Sequence, residues 1–157
     1  MTTIMVILHV LAAILFLGPA TVATSQFHVR ALDAHNGNKQ SEGSAKTLFN
    51  ISQSYGMLSL LVPLLGIAIM LLNWSHFKTE GQFHAAIALS VVAWGLLLFV
   101  IFPRQKKMMG ALGLLEADEQ AAKTYEVANW DKAKGQLSMF AGIWALLWVI
   151  IAVLMFI

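Results

Sequence analysis

The five histidines are the side chains of this sequence with the clearest capacity for cofactor chemistry. His9 lies inside a long apolar stretch, where a polar side chain usually faces the interior of a helix bundle or a cavity. Histidines from two helices can hold the iron of a b-type haem, and His9 with His84 is the best pair. Because His84 lies near the boundary of its own apolar stretch, the two differ in depth by about 8 Å at the rise of an α-helix. Haem b held by His9 and His84 is therefore one hypothesis.

Other reactive constellations are missing from the sequence. The absence of cysteine excludes thiolate metal sites, iron–sulfur clusters, disulfides and covalent attachment of a c-type haem. No glycine-rich phosphate loop is present, and no intramembrane aspartate accompanies a histidine and a serine. A metal site built on His9, His76 and His84 would have only Glu80 as a nearby carboxylate. We therefore predict neither a catalytic set nor a metal site.

The helices that must position these histidines follow from the distribution of charge. None of the 18 charged residues lies in four apolar stretches. These stretches are Ile4–Thr24, Tyr55–Trp74, Ala85–Pro103 and Leu137–Ile157. Because about 20 helical residues cross the ~30 Å hydrocarbon core of a bilayer, each stretch predicts one transmembrane helix. We expect an all-α integral membrane four-helix bundle in a single domain, 1–157. The helices are expected at about 3–31, 46–74, 83–112 and 116–157.

The orientation in the membrane follows from lysine and arginine. The connections 25–54 and 104–136 together carry nine of the ten basic residues, and the connection 75–84 carries only Lys78. Basic residues mark cytoplasmic connections, so both termini are predicted outside, in a multi-pass protein of a bacterial plasma membrane. Basic residues here indicate topology and contact with anionic lipid, and not a nucleic-acid partner. The helix-prone segment before the last helix is expected to form a hairpin that projects into the cytoplasm.

The last helix carries two contrasting faces. Small residues that let helices approach closely lie on one face, and we expect that face to pack in the bundle. They are Ser138, Gly142, Ala145, Val149 and Ala152. Large side chains lie on the opposite face, at Trp144, Trp148, Ile151 and Met155. Because large aromatic side chains anchor interfaces, this second face is a candidate docking surface for another membrane protein. The alternatives are contact with lipid and aromatic filling inside the bundle.

The segment Ile7–Thr24 (ILHVLAAILFLGPATVAT) resembles the first helix of a family of small bacterial four-helix membrane proteins of unknown function. It contains LHxLxA, then a small apolar run and Gly-Pro. Proteins of this size and topology are also similar to accessory subunits of actinobacterial respiratory supercomplexes, which join a cytochrome bc complex to an aa3-type oxidase. The histidine in the first helix resembles that of copper-resistance and protoporphyrinogen-oxidase-type membrane proteins. This chain lacks the intramembrane Arg or Lys expected for that chemistry.

These patterns favour a non-catalytic accessory subunit of a larger membrane complex. The resemblance implies a respiratory complex, with the cytochrome bc complex or a terminal oxidase as partner. We expect bound lipid and no cofactor in that role. The first alternative is a b-type haem protein, active in redox chemistry or haem biosynthesis, with His9 and His84 as ligands. The second alternative is a small transporter, which the helix-distorting residues Pro19 and Pro63 favour.

Overall fold

The computed structural model describes residues 2–157, and their regular structure is 85% helix with no strand. Four helices are long and apolar enough to cross a membrane: α1 (Thr2–His35), α2 (Lys39–Leu72), α4 (Gly81–Ala111) and α6 (Trp130–Leu154). Two short helices join them, α3 (Trp74–Phe77) and α5 (Ala117–Ala122). The prediction of an all-helical, multi-pass membrane protein is confirmed.

The two ends of the bundle differ in charge. One end, here called the basic end, holds the connections that carry nine of the ten basic residues. At this end α1 passes into α2 through a tight turn, in which Gly37 has a φ of 94° and Asn38 caps α2. The Asn38 side chain accepts hydrogen bonds from the backbone amides of Gln40 and Ser41. The other end, here called the termini end, holds Thr2 at the start of α1, Ile157 after α6, and α3.

The segment 112–129 folds back onto the basic end instead of projecting as a helical hairpin. We call this segment the strap. The Gln120 side-chain amide donates to the carbonyl oxygen of Gly110 over 2.8 Å, and Lys106 pairs with Glu119 at 2.6 Å. Leu115 is buried, and Trp130 stacks on His35 with ring centroids 4.2 Å apart. The strap therefore closes the basic end of the bundle.

Local chemistry sets where the helices flanking the strap end and begin. Gly113, two residues after the end of α4, has a φ of 71°. Glycine adopts this left-handed conformation with little strain because it has no side chain, so it favours the end of a helix. The chain is non-helical from Lys123 until Asn129, whose side chain accepts from the amide of Lys132 over 2.8 Å and caps α6. The helix expected over 116–157 is thus divided, and its membrane part begins at Trp130.

Each of the three prolines follows a turn of distorted helix. Pro19 follows a π-helical turn at Ala13–Leu17, and Pro103 follows one at Leu97–Ile101. In α2 the α-helix is interrupted between Leu58 and Leu61, just before Pro63. A proline cannot donate to the carbonyl four residues earlier, and its ring clashes with that carbonyl, so the preceding turn must widen or break. The sequence indicates two of these distortions, at Pro19 and Pro63.

The large side chains of α6 lie inside the bundle, which corrects the interpretation of that face as a docking surface. Trp144 is 0% exposed, Trp148 9% and Ile151 8%, and only Met155 at the helix end is open, at 37%. The two indole rings contact each other edge to face, with centroids 6.2 Å apart. The small residues of the opposite face include Ser138, Gly142, Val149 and Ala152, and these four are exposed. The wide gap between the helices is thus filled by the larger side chains.

Packing is dense towards the basic end and loose towards the termini end. In α1, the buried apolar side chains from residue 18 onwards are Ala20, Ala23, Phe27, Ala31 and Ala34, whereas residues 2–17 contribute only Ala12. In α2, Val62 is the one buried residue of Leu61–Leu72. Small residues draw the helices together near the basic end. The looser packing near the termini end leaves a cavity among the four long helices.

Candidate functional site: an intramembrane cavity

A cavity of about 510 Å³ lies among the four long helices in the half of the bundle nearest the termini. Its wall takes residues from α1, α2, α4 and α6, and Phe77 of α3. Most of the wall is aliphatic or aromatic, and its polar side chains are His9, Ser90 and Trp148. An apolar cavity of this size with a few convergent polar groups is typical of a site for a small organic molecule.

His9 is the polar anchor of this cavity. Its Nδ1 atom lies 2.9 Å from the carbonyl oxygen of Val62 in α2. Because a carbonyl oxygen can only accept, Nδ1 donates, and the Nε2 atom of the neutral ring keeps a free lone pair. The ring lies over Gly66, where a Cβ atom would stand 3.3 Å from His9 Cε1. The backbone of α2 therefore fixes both the plane of the imidazole and the nitrogen it leaves for a ligand.

The distorted turns of α1 and α2 form one side of the cavity. Ala13 and Leu17 of the π-helical turn line it, and so does Pro63. π-helical turns occur often at functional sites because they reposition side chains without ending the helix. The prolines therefore shape the wall that carries His9.

Two further polar groups complete the wall. The Nε1 atom of Trp148 is buried and has no acceptor within residues 2–157. An indole N–H can only donate, and a buried donor without a partner costs about 1–3 kcal/mol. Ser90 donates its hydroxyl to the carbonyl of Ala86 over 2.8 Å and keeps its oxygen lone pairs. The site thus presents acceptors at His9 and Ser90, while Trp148 is an unsatisfied donor in its wall.

The predicted pair of His9 and His84 does not meet in this cavity. His84 lies in the first turn of α4, is exposed, and has its Nδ1 atom 3.1 Å from the carbonyl of Glu80. Its neighbour is Trp74, with ring centroids 6.3 Å apart, and His84 is not among the residues of the cavity wall. The expected difference in depth therefore separates His9 from His84 in this structure, and haem binding itself stays a prediction.

The other histidines lie away from the cavity. His76 is exposed beside Phe77, His35 stacks on Trp130, and His28 is buried in the dense half of α1. Within residues 2–157, no three side chains from His, Cys, Asp and Glu lie together as metal ligands do.

The cavity wall also contains Met70, Ser90, Trp148 and Met155. The sequence did not indicate that these four side chains share a cavity with His9. Ser90 was open to detection, because a hydroxyl in the charge-free stretch Ala85–Pro103 is a polar group at membrane depth. The methionines carried no such signal, since they are as apolar as their neighbours.

Comparisons of the chain with protein-family models, with curated proteins and with solved structures found no match. The class of protein is set by the fold and the site together. It is a multi-pass helical membrane protein with a largely apolar intramembrane cavity that holds one histidine.

Proposed function

We propose that this protein binds a membrane-soluble organic molecule with a hydroxyl-bearing ring in the cavity beside His9. The observation that carries the proposal is the orientation of His9, whose Nδ1 atom is held by Val62 while its Nε2 atom is left to accept from a ligand hydroxyl. The apolar wall suits the rest of such a molecule.

The cavity wall also supports entry from the bilayer. Val6, Val10 and Ile14 line the cavity and are also 42%, 48% and 64% exposed. These side chains lie in the apolar span of α1, so the surface they expose faces hydrocarbon and not water. A ligand dissolved in the membrane can therefore reach His9 without crossing an aqueous phase.

The proposal is tested by filling the cavity from the end of α6. Ala152 lines the cavity and is exposed, so Ala152→Trp should occupy ligand space with little strain in the core. The matched control is Val153→Trp, one residue further along the same helix, where the side chain is 54% exposed and outside the wall. The probe is decylhydroquinone, which has phenolic hydroxyls and an alkyl chain, and binding is measured by the rise in melting temperature in detergent.

Decylhydroquinone should raise the melting temperature of the wild-type and Val153→Trp proteins, and most of this rise should be lost in Ala152→Trp. An equal rise in all three proteins would place the probe outside the cavity and overturn the proposal. An absence of any rise in the wild type would also count against it.

Haem b is a second candidate ligand, because the wall contains Met70 and Met155 as well as His9. Iron can be held by one histidine and one methionine. A histidine that ligates a metal usually donates its other ring N–H to a carbonyl or carboxylate, as His9 does to Val62. A Soret band in the purified protein that disappears in His9→Leu would favour haem. A colourless protein that gains no band when haem is added would exclude it.

We also propose that the basic end faces the cytoplasm of a bacterial plasma membrane, because it carries nine of the ten basic residues. The chain contains no cysteine, so single-cysteine variants report topology without interference. Ser75→Cys, at the termini end, should react with a membrane-impermeant maleimide in intact cells. Gln40→Cys, at the basic end, should react only after the cells are permeabilised. The reverse pattern would show the opposite orientation.

The accessory-subunit role stays a proposal, which the resemblance, the charge-free membrane stretches and the absence of a predicted catalytic set favour. Three of the four side chains expected to form its docking face are buried in this chain's own bundle. Ligand binding in the cavity needs no partner, so the shift in melting temperature and the Soret band can both be measured on the purified chain.

A further inference from the structure

A groove with a polar wall lies at the basic end, between α4 and the strap. We propose that this groove, here called the lysine groove, binds a phosphate group, supplied in the membrane by the headgroup of an anionic phospholipid. It has a volume of about 900 Å³. Its wall includes Lys106, Lys107, Lys123, Thr124, Tyr125 and Glu126.

The charges of the lysine groove favour an anion. Lys106 is paired with Glu119 at 2.6 Å. Lys107 and Lys123 form no ion pair within residues 2–157, and Glu126 is the one carboxylate in the wall. Because Glu119 neutralises Lys106, the wall keeps two unpaired ammonium groups and one carboxylate, a net charge of +1. The ammonium of Lys123 lies 5.3 Å from the centre of the Tyr125 ring, which orients it by a cation–π contact.

The strap adds hydrogen-bond donors that can act on a phosphate. Residues 124–126, which belong to the wall, are not helical, and their backbone amides donate to no backbone carbonyl in the described chain. Thr124 and Tyr125, whose side chains carry hydroxyls, belong to the same wall. These donors are held in place because Tyr125 rests on Gly110, where an added Cβ would lie 2.2 Å from Tyr125 Cγ. The part of the strap that carries these donors therefore packs closely against α4.

The depth of the groove identifies the source of the phosphate as lipid. Pro103 is the last residue of a charge-free stretch, and Lys106 and Lys107 lie one turn beyond it. At the helical rise this places their Cα atoms about 5–6 Å outside the hydrocarbon boundary. The headgroup layer is about 5–8 Å thick on each side of the bilayer. The lysines thus stand at the level where lipid phosphates lie.

The test measures phosphatidylglycerol binding to the purified full chain in detergent by native mass spectrometry. Lys107→Gln/Lys123→Gln should weaken binding about 30-fold, because a lysine near a membrane surface contributes about 1 kcal/mol towards anionic lipid. The matched control is Lys39→Gln/Lys132→Gln, which removes the same charge from exposed positions at the same end. Inorganic phosphate at millimolar concentration is added as a competitor.

Loss of phosphatidylglycerol in the groove variant, retention in the control and no effect of inorganic phosphate would establish a lipid phosphate site. Displacement of the lipid by inorganic phosphate, with the same pattern of variants, would keep the phosphate site but overturn lipid as its source. Equal binding by both double variants would overturn the proposal, because the lysine groove would then differ in no way from the rest of the basic surface.

Discussion

The His9→Asn protein is expected to melt close to the wild-type temperature and to bind decylhydroquinone about 100-fold more weakly, a loss of about 3 kcal/mol. The asparagine amide can donate to the Val62 carbonyl as Nδ1 does, so the contact between α1 and α2 is kept. It is too short to place an acceptor where Nε2 lies, so the ligand hydroxyl is buried without its partner. Titration of the probe in detergent, followed by the shift in melting temperature, measures both effects.

His9→Leu separates the two roles of the histidine. It removes the hydrogen bond to Val62 as well as the acceptor, so the free protein should melt at a lower temperature than His9→Asn. Decylbenzene, which has the alkyl chain and ring but no hydroxyl, should bind the wild-type and His9→Asn proteins equally. Wild-type affinity of His9→Asn for decylhydroquinone would show that Nε2 accepts nothing from the ligand.

Gly110→Ala is expected to release the strap from the bundle. A Cβ at Gly110 would lie 2.2 Å from Cγ and 2.3 Å from Cδ2 of Tyr125, and 2.8 Å from its Cβ. Because the clash reaches the base of the tyrosine side chain, a change of rotamer cannot relieve it, and the backbone of the strap must move. At a cost of about 3 kcal/mol for overpacking, tryptic cleavage after Lys123 should accelerate about 100-fold.

Gly135→Ala is the matched control for the strap. Gly135 lies near the start of α6 at the same end of the bundle, and a Cβ there would meet nothing within 4 Å. Its cleavage rate should equal that of the wild type. Equal rates for Gly110→Ala and Gly135→Ala would mean that the strap is not held by the contact between Tyr125 and Gly110.

The helices were predictable because the bilayer imposes a length and an absence of charge that the sequence shows directly. The stretches that begin at Ile4 and Ala85 lie wholly inside α1 and α4, and those that begin at Tyr55 and Leu137 run two and three residues past the ends of α2 and α6. Each helix extends further than its apolar core where the polar sequence is helix-prone, as α2 does by starting at Lys39. The side chain of Asn38 caps the first turn of α2, which explains why the helix starts at Lys39. An asparagine directly after a glycine turn is a start signal that can be read from the local sequence.

The inward faces were not predictable in the same way. In water an apolar face points inward, but lipid is as apolar as a protein core, so the pattern of α6 is equally compatible with either direction. Trp144 and Trp148 are buried because they fill the gap between helices, and Gly142 faces outward.

Only one residue of the candidate site could be predicted from the sequence. His9 is a polar group within a charge-free stretch, which indicates an inward position, and it lies in the cavity wall. Its partner could not be found among the histidines, because the contact is to the backbone carbonyl of Val62, and every residue has a carbonyl. The strap contacts are similar, since nothing in the sequence links Tyr125 to Gly110.

The most direct test of ligand binding is an experimental density map of the wild-type protein, purified in mild detergent and saturated with decylhydroquinone. We expect density for the ring in the cavity, with one phenolic oxygen within hydrogen-bond distance of His9 Nε2 and the alkyl chain along the apolar wall. A cavity filled by this chain's own side chains, with His9 Nε2 bonded to another residue, would contradict this expectation.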